Sequence, residues 1–156
     1  MKKITPFLWF DQDAEAAVEL YRSLFDDVKV HGITRYPEGS PSPGTVITID
    51  FEIAGQEVIA LNGGPMYQFT EAFSFSVRAD SQAEIDRLWE GLTANGGEPG
   101  PCGWLKDRFG LSWQVSPKKM ADIITGPDPE KADRAMRAML TMKKIVLADI
   151  EEAVRG

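Results

Sequence analysis

Apolar and polar residues alternate most cleanly in two stretches, and both read as β-strands. From Thr45 to Ile53, Ile47, Ile49, Phe51 and Ile53 share one face and Thr48, Asp50 and Glu52 the other. From Leu111 to Ser116, Leu111, Trp113 and Val115 oppose Ser112, Gln114 and Ser116. Asp107-Arg108-Phe109-Gly110 has Asp first and Gly fourth in a β-turn, so this second stretch pairs with Trp104 to Lys106 as a hairpin. Further strands are predicted over Thr5 to Phe10, Val28 to Tyr36, Glu57 to Asn62, Phe73 to Val77 and, short and poorly marked, Glu98 to Cys102. Helical spacing appears in Ala14, Ala17, Val18, Tyr21, Leu24 and Phe25, after the candidate caps Asp11 and Asp13 and ending near Asp26. It recurs in Ile85, Leu88, Trp89 and Leu92, introduced by the capping-box pair Ser81 and Glu84 and stopped by Asn95-Gly96-Gly97. Pro37 to Gly44 is a loop, Ala54-Gly55 a tight turn, and Gly63-Gly64-Pro65 breaks the chain.

The order is strand, helix, three strands, and then the same again. Phe10-Asp11-Gln12-Asp13 leading to Val18 and Tyr21 parallels Val77-Arg78-Ala79-Asp80 leading to Ile85 and Leu88. The expected class is α+β, with paired βαβββ modules forming a curved sheet trough and their helices outside. Residues 1–117 make this domain, with module one about 4–64 and module two about 72–117. Residues 118–156 make a helical tail: Lys118 to Thr125, a helix started by Asp128-Pro129-Glu130, and a last one about Ala148 to Val154. Ala132, Ala135, Met136, Met139 and Leu140 form the stripe of the middle helix, whose C-terminal dipole Lys143-Lys144 suits. These helices are expected to pack on the domain or on a dimer partner.

Composition narrows the partners. A formal charge of −7 and the absence of a large Lys/Arg cluster argue against nucleic acid. No apolar run reaches the roughly 18 residues of a spanning helix, and Pro6, Asp11 and Asp13 interrupt any apolar segment after Met1-Lys2-Lys3. A single cysteine, Cys102, rules out a disulfide within the chain and fits a reducing cytoplasm.

Strand parity then selects candidate site residues. With Ile47, Leu61, Phe75 and Trp113 toward the helices, the trough side carries Thr5, Phe7, Trp9, Thr48, Asp50, Ala60, Asn62, Ser74, Ser76, Trp104, Lys106, Ser112 and Gln114. An apolar wall with a few convergent polar groups suits a small molecule, and Phe7, Trp9, Thr48, Asp50, Asn62, Ser76, Trp104, Lys106 and Gln114 are the expected ligand contacts. Lys106 is the trough's cation, suited to an anion or a carbonyl. Cys102 has no histidine predicted near it and reads as a packed residue rather than a nucleophile.

GWLKDRFGLSWQVSP, NGGP followed by Phe69-Thr70-Glu71-Ala72, and AMLTMKKI together resemble the PhnB-like branch of the vicinal oxygen chelate superfamily. That group contains glyoxalase I, extradiol dioxygenases and the fosfomycin and bleomycin resistance proteins. The resemblance runs nearly the whole chain and implies paired βαβββ modules in a homodimer. In metal-dependent relatives the first and last strands of each module supply His, Glu or Gln ligands. Carried onto this chain, those places fall close to Thr5, Ala60, Ala72 and Gln114, of which only Gln114 ligates readily, and His31 lies elsewhere. Neither a metal nor another cofactor is therefore expected. Members of this branch carry a 3-demethylubiquinone 3-methyltransferase label, but Gly63-Gly64-Pro65 leads into no helix signature of the kind a nucleotide-cofactor site needs. The leading expectation is a metal-free small-molecule binder or enzyme. The alternatives are a metal-dependent lyase, dioxygenase or isomerase of glyoxalase type with unusual ligands such as Asp50 and Gln114, and a dimeric scaffold in which the tail matters most.

Overall fold

The computed structural model describes residues 2–156; Met1, the first residue of the lysine-bearing N-terminus, lies outside the described residues. The chain forms two compact units, Met1–Phe69 and Thr70–Gly156. The first contains β1 (Phe7–Phe10), α1 (Ala14–Leu24), β2 (Val28–Arg35), β3 (Val46–Ile53) and β4 (Gln56–Asn62). The second contains β5 (Ser74–Ala79), α2 (Gln82–Thr93), β6 (Glu98–Pro99), β7 (Trp104–Lys106), β8 (Ser112–Pro117), α3 (Lys118–Ile124), α4 (Pro129–Leu140) and α5 (Leu147–Arg155). Each unit has a four-stranded sheet, ordered β1-β4-β3-β2 and β5-β8-β7-β6. The first strand of each pairs in parallel with the last, and the remaining pairs are antiparallel. The βαβββ repeat and the α+β class expected from the sequence are both present, with the tail helices added.

In the first unit, Leu8, Phe10, Ile49, Phe51, Val58 and Ala60 bury one sheet face against the α1 stripe of Ala14, Ala17, Val18, Tyr21 and Leu24. Two parity expectations are corrected here. On β3 the inward position is taken by Val46, not Ile47, because the ladder slips between Thr34↔Thr48 and Arg35↔Val46, leaving Ile47 as the extra residue of a bulge. On β4, Val58 and Ala60 face α1 and Leu61 faces away, the reverse of the assignment by sequence. All four residues from Val58 to Leu61 are apolar, so alternation is mute there and packing against α1 chooses the face.

In the second unit the assignment by parity holds. Phe75 lies opposite Trp113, and Leu105 opposite Trp113 on the other side, over a core with Ile85, Leu88 and Leu92 of α2. Ser81 Oγ accepts from Glu84 N at 3.1 Å, while Glu84 Oε2 accepts from Asp80 N at 2.7 Å, so the reciprocal bond of the capping box reaches one residue further out than the usual pattern.

The tail helices share a core of Met120, Ala135, Ile145 and Ile150. The segment after α4 is bound along its backbone: Cys102 N and Gly103 N donate to Met142 O and Lys143 O, and Gln82 bridges Ile145 O and Leu147 N. A Cβ on Gly103 would press on Val115 O and Ile145, so only glycine lets the tail approach this closely. Lys144 does not serve the α4 dipole as expected; its Nζ lies 2.7 Å from Asp86 Oδ1 on α2. Hydrogen bonds from Lys144, then Gln82, hold the Asp86 carboxyl below its ordinary pKa. Among the described residues no helix is long and apolar enough to cross a membrane.

Candidate functional site

Each sheet leaves one face uncovered by its helix. On the second sheet the ladder brings Trp104 opposite Gln114 and Lys106 opposite Ser112, with Ser76 and Ser74 across from them on β5. Side chains directly opposite in a ladder share a face and sit close together, so Ser74, Ser76, Trp104, Lys106, Ser112 and Gln114 form one patch. Gln114 Nε2 donates to Ser74 Oγ at 2.9 Å, leaving its carbonyl oxygen as the free end. A cavity of about 190 Å³ lies at the edge of the patch, lined by Trp104, Lys106, Ser112, Glu71 and Glu98.

Lys106, the cation of this patch, is already paired within the chain. Its Nζ is 2.6 Å from Glu71 Oε1 and 3.9 Å from Glu98 Oε2. The hydrogen bond to Glu71 raises the Lys106 pKa and lowers that of Glu71. Sequence reasoning missed Glu71 because it precedes β5 in a loop with no periodicity. Ser112, also missed as a ligand contact, is 1% exposed, and its Oγ has no hydrogen-bond partner.

The patch is held by Asp107 behind it. This buried carboxylate accepts from Phe109 N and Leu111 N through Oδ1 and from Trp113 Nε1 through Oδ2, at 2.9, 3.1 and 3.0 Å. It shapes the turn and also ties the hairpin to the Trp113 indole in the core.

On the first sheet, two rows cross the open face: Trp9, Leu61 and Thr48, then Phe7, Ile59 and Asp50. Phe7, Trp9, Thr48 and Asp50 therefore share a face as expected. Asn62 does not, which corrects its assignment as a ligand contact on that face. It follows Ala60 in parity, and its Oδ1 accepts from Ala14 N at 2.9 Å while its Nδ2 donates to Val46 O at 3.2 Å. Asn62 thus caps α1 in place of Asp13, which makes no side-chain cap bond. Trp9 is fixed, its Nε1 donating to Gly64 O at 2.9 Å and its ring meeting Tyr67 edge-on. Gly63 has no side chain because a Cβ there would overlap the Trp9 indole.

The β2 ladder also slips between Val30 and Gly32, making His31 a bulged residue. His31 Nε2 lies 3.5 Å from Glu52 Oε2, and both line a cavity of about 260 Å³ with Thr5, Asp50 and Glu57. The sequence places His31 in a strand away from the ligand positions of the relatives; the bulge brings it to this cavity. A larger cavity of about 670 Å³, with Asp11, Glu15, Arg35, Tyr36 and Asn62 in its walls, lies at the N-terminal end of α1 and off the open face.

A metal of the superfamily's kind does not fit these residues. Of the four places where relatives carry ligands, Thr5 offers only a hydroxyl that donates to Lys2 O, Ala60 is buried toward α1 and Ala72 has no donor side chain, so the Gln114 carbonyl oxygen stands without ligating partners. Among the described residues no three His, Cys, Asp or Glu side chains are grouped to hold an ion.

The sequence matches the family model for 3-demethylubiquinone-9 3-methyltransferase over residues 2–116. The chain belongs to this PhnB-like family, within the vicinal oxygen chelate superfamily. A PhnB protein from Bacillus cereus, which bears the same methyltransferase description, is 35% identical, with 74% of this chain and 98% of that chain covered and a TM-score of 0.65. Protein PA1353 from Pseudomonas aeruginosa shares the fold at 21% identity, covering 76% and 98%, with a TM-score of 0.61. The fosfomycin resistance protein FosX from Listeria monocytogenes shares it at 15% identity, covering 74% and 91%, with a TM-score of 0.50. No curated protein matches the sequence.

Proposed function

We propose that this PhnB-like chain binds an aromatic or oxygen-rich small molecule on the open sheet faces, as a binding protein or enzyme working without a catalytic metal. The observation that carries this reading is the patch of the second sheet, where Trp104, Gln114, Lys106 and Ser112 face the same way and Trp104, Lys106 and Ser112 border a cavity. An aromatic wall beside hydrogen-bonding and charged groups is the make-up of a small-molecule site. Phe7, Trp9, Thr48 and Asp50 on the first sheet, and Ser76 on the second, belong to the same proposal; Asn62 leaves it. The donor chemistry supports the metal-free part, since Gln114 lacks adequate ligating partners.

Methyl transfer gains no support from the topology. Gly63-Gly64 after β4 leads to no helix before β5, and each sheet is mixed rather than the doubly wound parallel kind that carries a nucleotide at a strand-to-helix turn. A homodimer is part of the proposal. Met136 and Leu140, the latter 64% exposed, lie one turn apart on α4 and suit a contact between copies. A cytoplasmic setting follows from the single cysteine.

A metabolite library screened by thermal shift tests the reading. At least one aromatic or oxygen-rich compound is expected to stabilise the protein, with the shift reduced in Trp104→Ala and Gln114→Ala at unchanged folded content. Equal shifts in both variants would overturn it. Stoichiometric Mn, Ni, Zn or Fe in protein purified without chelator would restore the metal-dependent reading. Sedimentation of Met136→Lys/Leu140→Lys as a monomer, against a dimeric parent, is the expected result for the assembly.

A further inference from the structure

Resting on the reading that the open face of the second sheet binds a small molecule, the chemistry of that molecule follows from two features beside Trp104. Lys106 Nζ sits 2.6 Å from a carboxylate oxygen of Glu71. Its neighbour across the ladder, Ser112, is 1% exposed, and its hydroxyl is without a hydrogen-bond partner. A buried hydroxyl left unpaired is costly and rare in native proteins, and here it lines the same cavity as Lys106, Trp104 and Glu71.

We infer that this corner takes the carboxylate of an aromatic acid, paired with Lys106 and hydrogen-bonded by Ser112 with the ring on Trp104, and that Glu71 stands in for that carboxylate in the free protein.

Four physical points support it. Trp104 and Lys106 are two residues apart on β7 and project from the same face, so one small ligand can meet the indole and the ammonium together. The cavity of about 190 Å³ suits a single ring with one substituent. Glu71 is exposed and comes from a loop, so its ion pair with Lys106 is of the weak, replaceable kind. Glu98, 3.9 Å from Lys106, adds a second negative charge, which disfavours a dianion and selects a monoanion such as a carboxylate over a phosphate.

Benzoate, phenyl phosphate and benzamide, titrated into the full-length protein at low ionic strength and followed by amide and indole N–H NMR signals, test the inference. Benzoate is expected to move the Trp104, Lys106 and Ser112 signals and to bind at least tenfold tighter than benzamide, with phenyl phosphate weaker than benzoate. Glu71→Gln removes the internal competitor and is expected to tighten benzoate by about two- to fivefold, the scale of a surface ion pair. Lys106→Met should lose benzoate about tenfold while leaving benzamide unchanged, and Ser112→Ala should weaken benzoate several-fold. Equal affinities for benzoate and benzamide, or no gain in Glu71→Gln, would overturn the carboxylate assignment while leaving the open face as a binding site. Phenyl phosphate binding tighter than benzoate would overturn the choice of a monoanion. Failure of all three probes to move any signal on the open face would overturn both readings.

Discussion

Single residues carry more structure here than their place in the sequence suggests. Asp107 looks like a turn former, and the Asp-to-Gly spacing accounts for its presence. Yet its carboxylate is 2% exposed and satisfies two amides and the Trp113 indole, so it anchors the hairpin that presents Trp104 and Lys106. Asp107→Ala would leave those donors unpaired in the core; a loss of about 2–4 kcal/mol in urea unfolding is expected, larger than for an exposed turn residue. The ion pair beside it has a definite pH range. Glu71 is depressed below 4.5 and Lys106 raised above 10.5, each chiefly by their mutual hydrogen bond. The Glu71 contribution to stability is full above 4.5 and is lost as pH falls through its lowered folded value; that of Lys106 is full below 10.5 and is lost as pH rises through its raised one. An NMR titration of the Glu71 side-chain carbon should show a midpoint below the ordinary value in the parent and a return toward it in Lys106→Met.

At the scale of elements, caps and ladders decide which face each strand turns outward. Ser81 and Glu84 announce α2 in the sequence, and the structure uses both. The sequence offers Asp11 and Asp13 as caps for α1, but the bond to Ala14 N comes from Asn62, 48 residues away. A long-range cap has no local signature, and so the true role of Asn62 was hidden behind an assignment to the open face. Asn62→Ala should cost about 1–2 kcal/mol by thermal or chemical unfolding, with faster amide exchange concentrated in the first turn of α1. The two bulges in the β2–β3 ladder have the same character: Ile47 is displaced and His31 is brought to the Asp50 cavity by slips that alternation does not reveal.

At the scale of the whole molecule, the repeat divides the work between a first unit with a fixed aromatic face and a second unit that carries the tail. The tail is built into the second unit: Ile145 is fully buried, and its backbone carbonyl accepts from Gln82 on α2. Ile145→Ala is expected to cost about 2–5 kcal/mol, with hydrogen exchange rising across residues of Thr70–Gly156 while amides of α1 and β3 keep their protection.

The sequence by itself determined the elements, the doubled βαβββ plan, the family, and the shared face of Ser76, Trp104, Lys106 and Gln114. These rest on short-range physics, namely alternation, helical spacing, caps and turns, and β8 alternates apolar with polar without exception. Only the tertiary structure decided the rest. The face of β4 is set by α1, because four apolar residues in a row carry no parity; the cap of α1 arrives from β4; and Lys106 meets Glu71 from a loop 35 positions earlier in the chain. Each of these depends on which distant groups the fold brings within a few ångströms, and no local pattern encodes that.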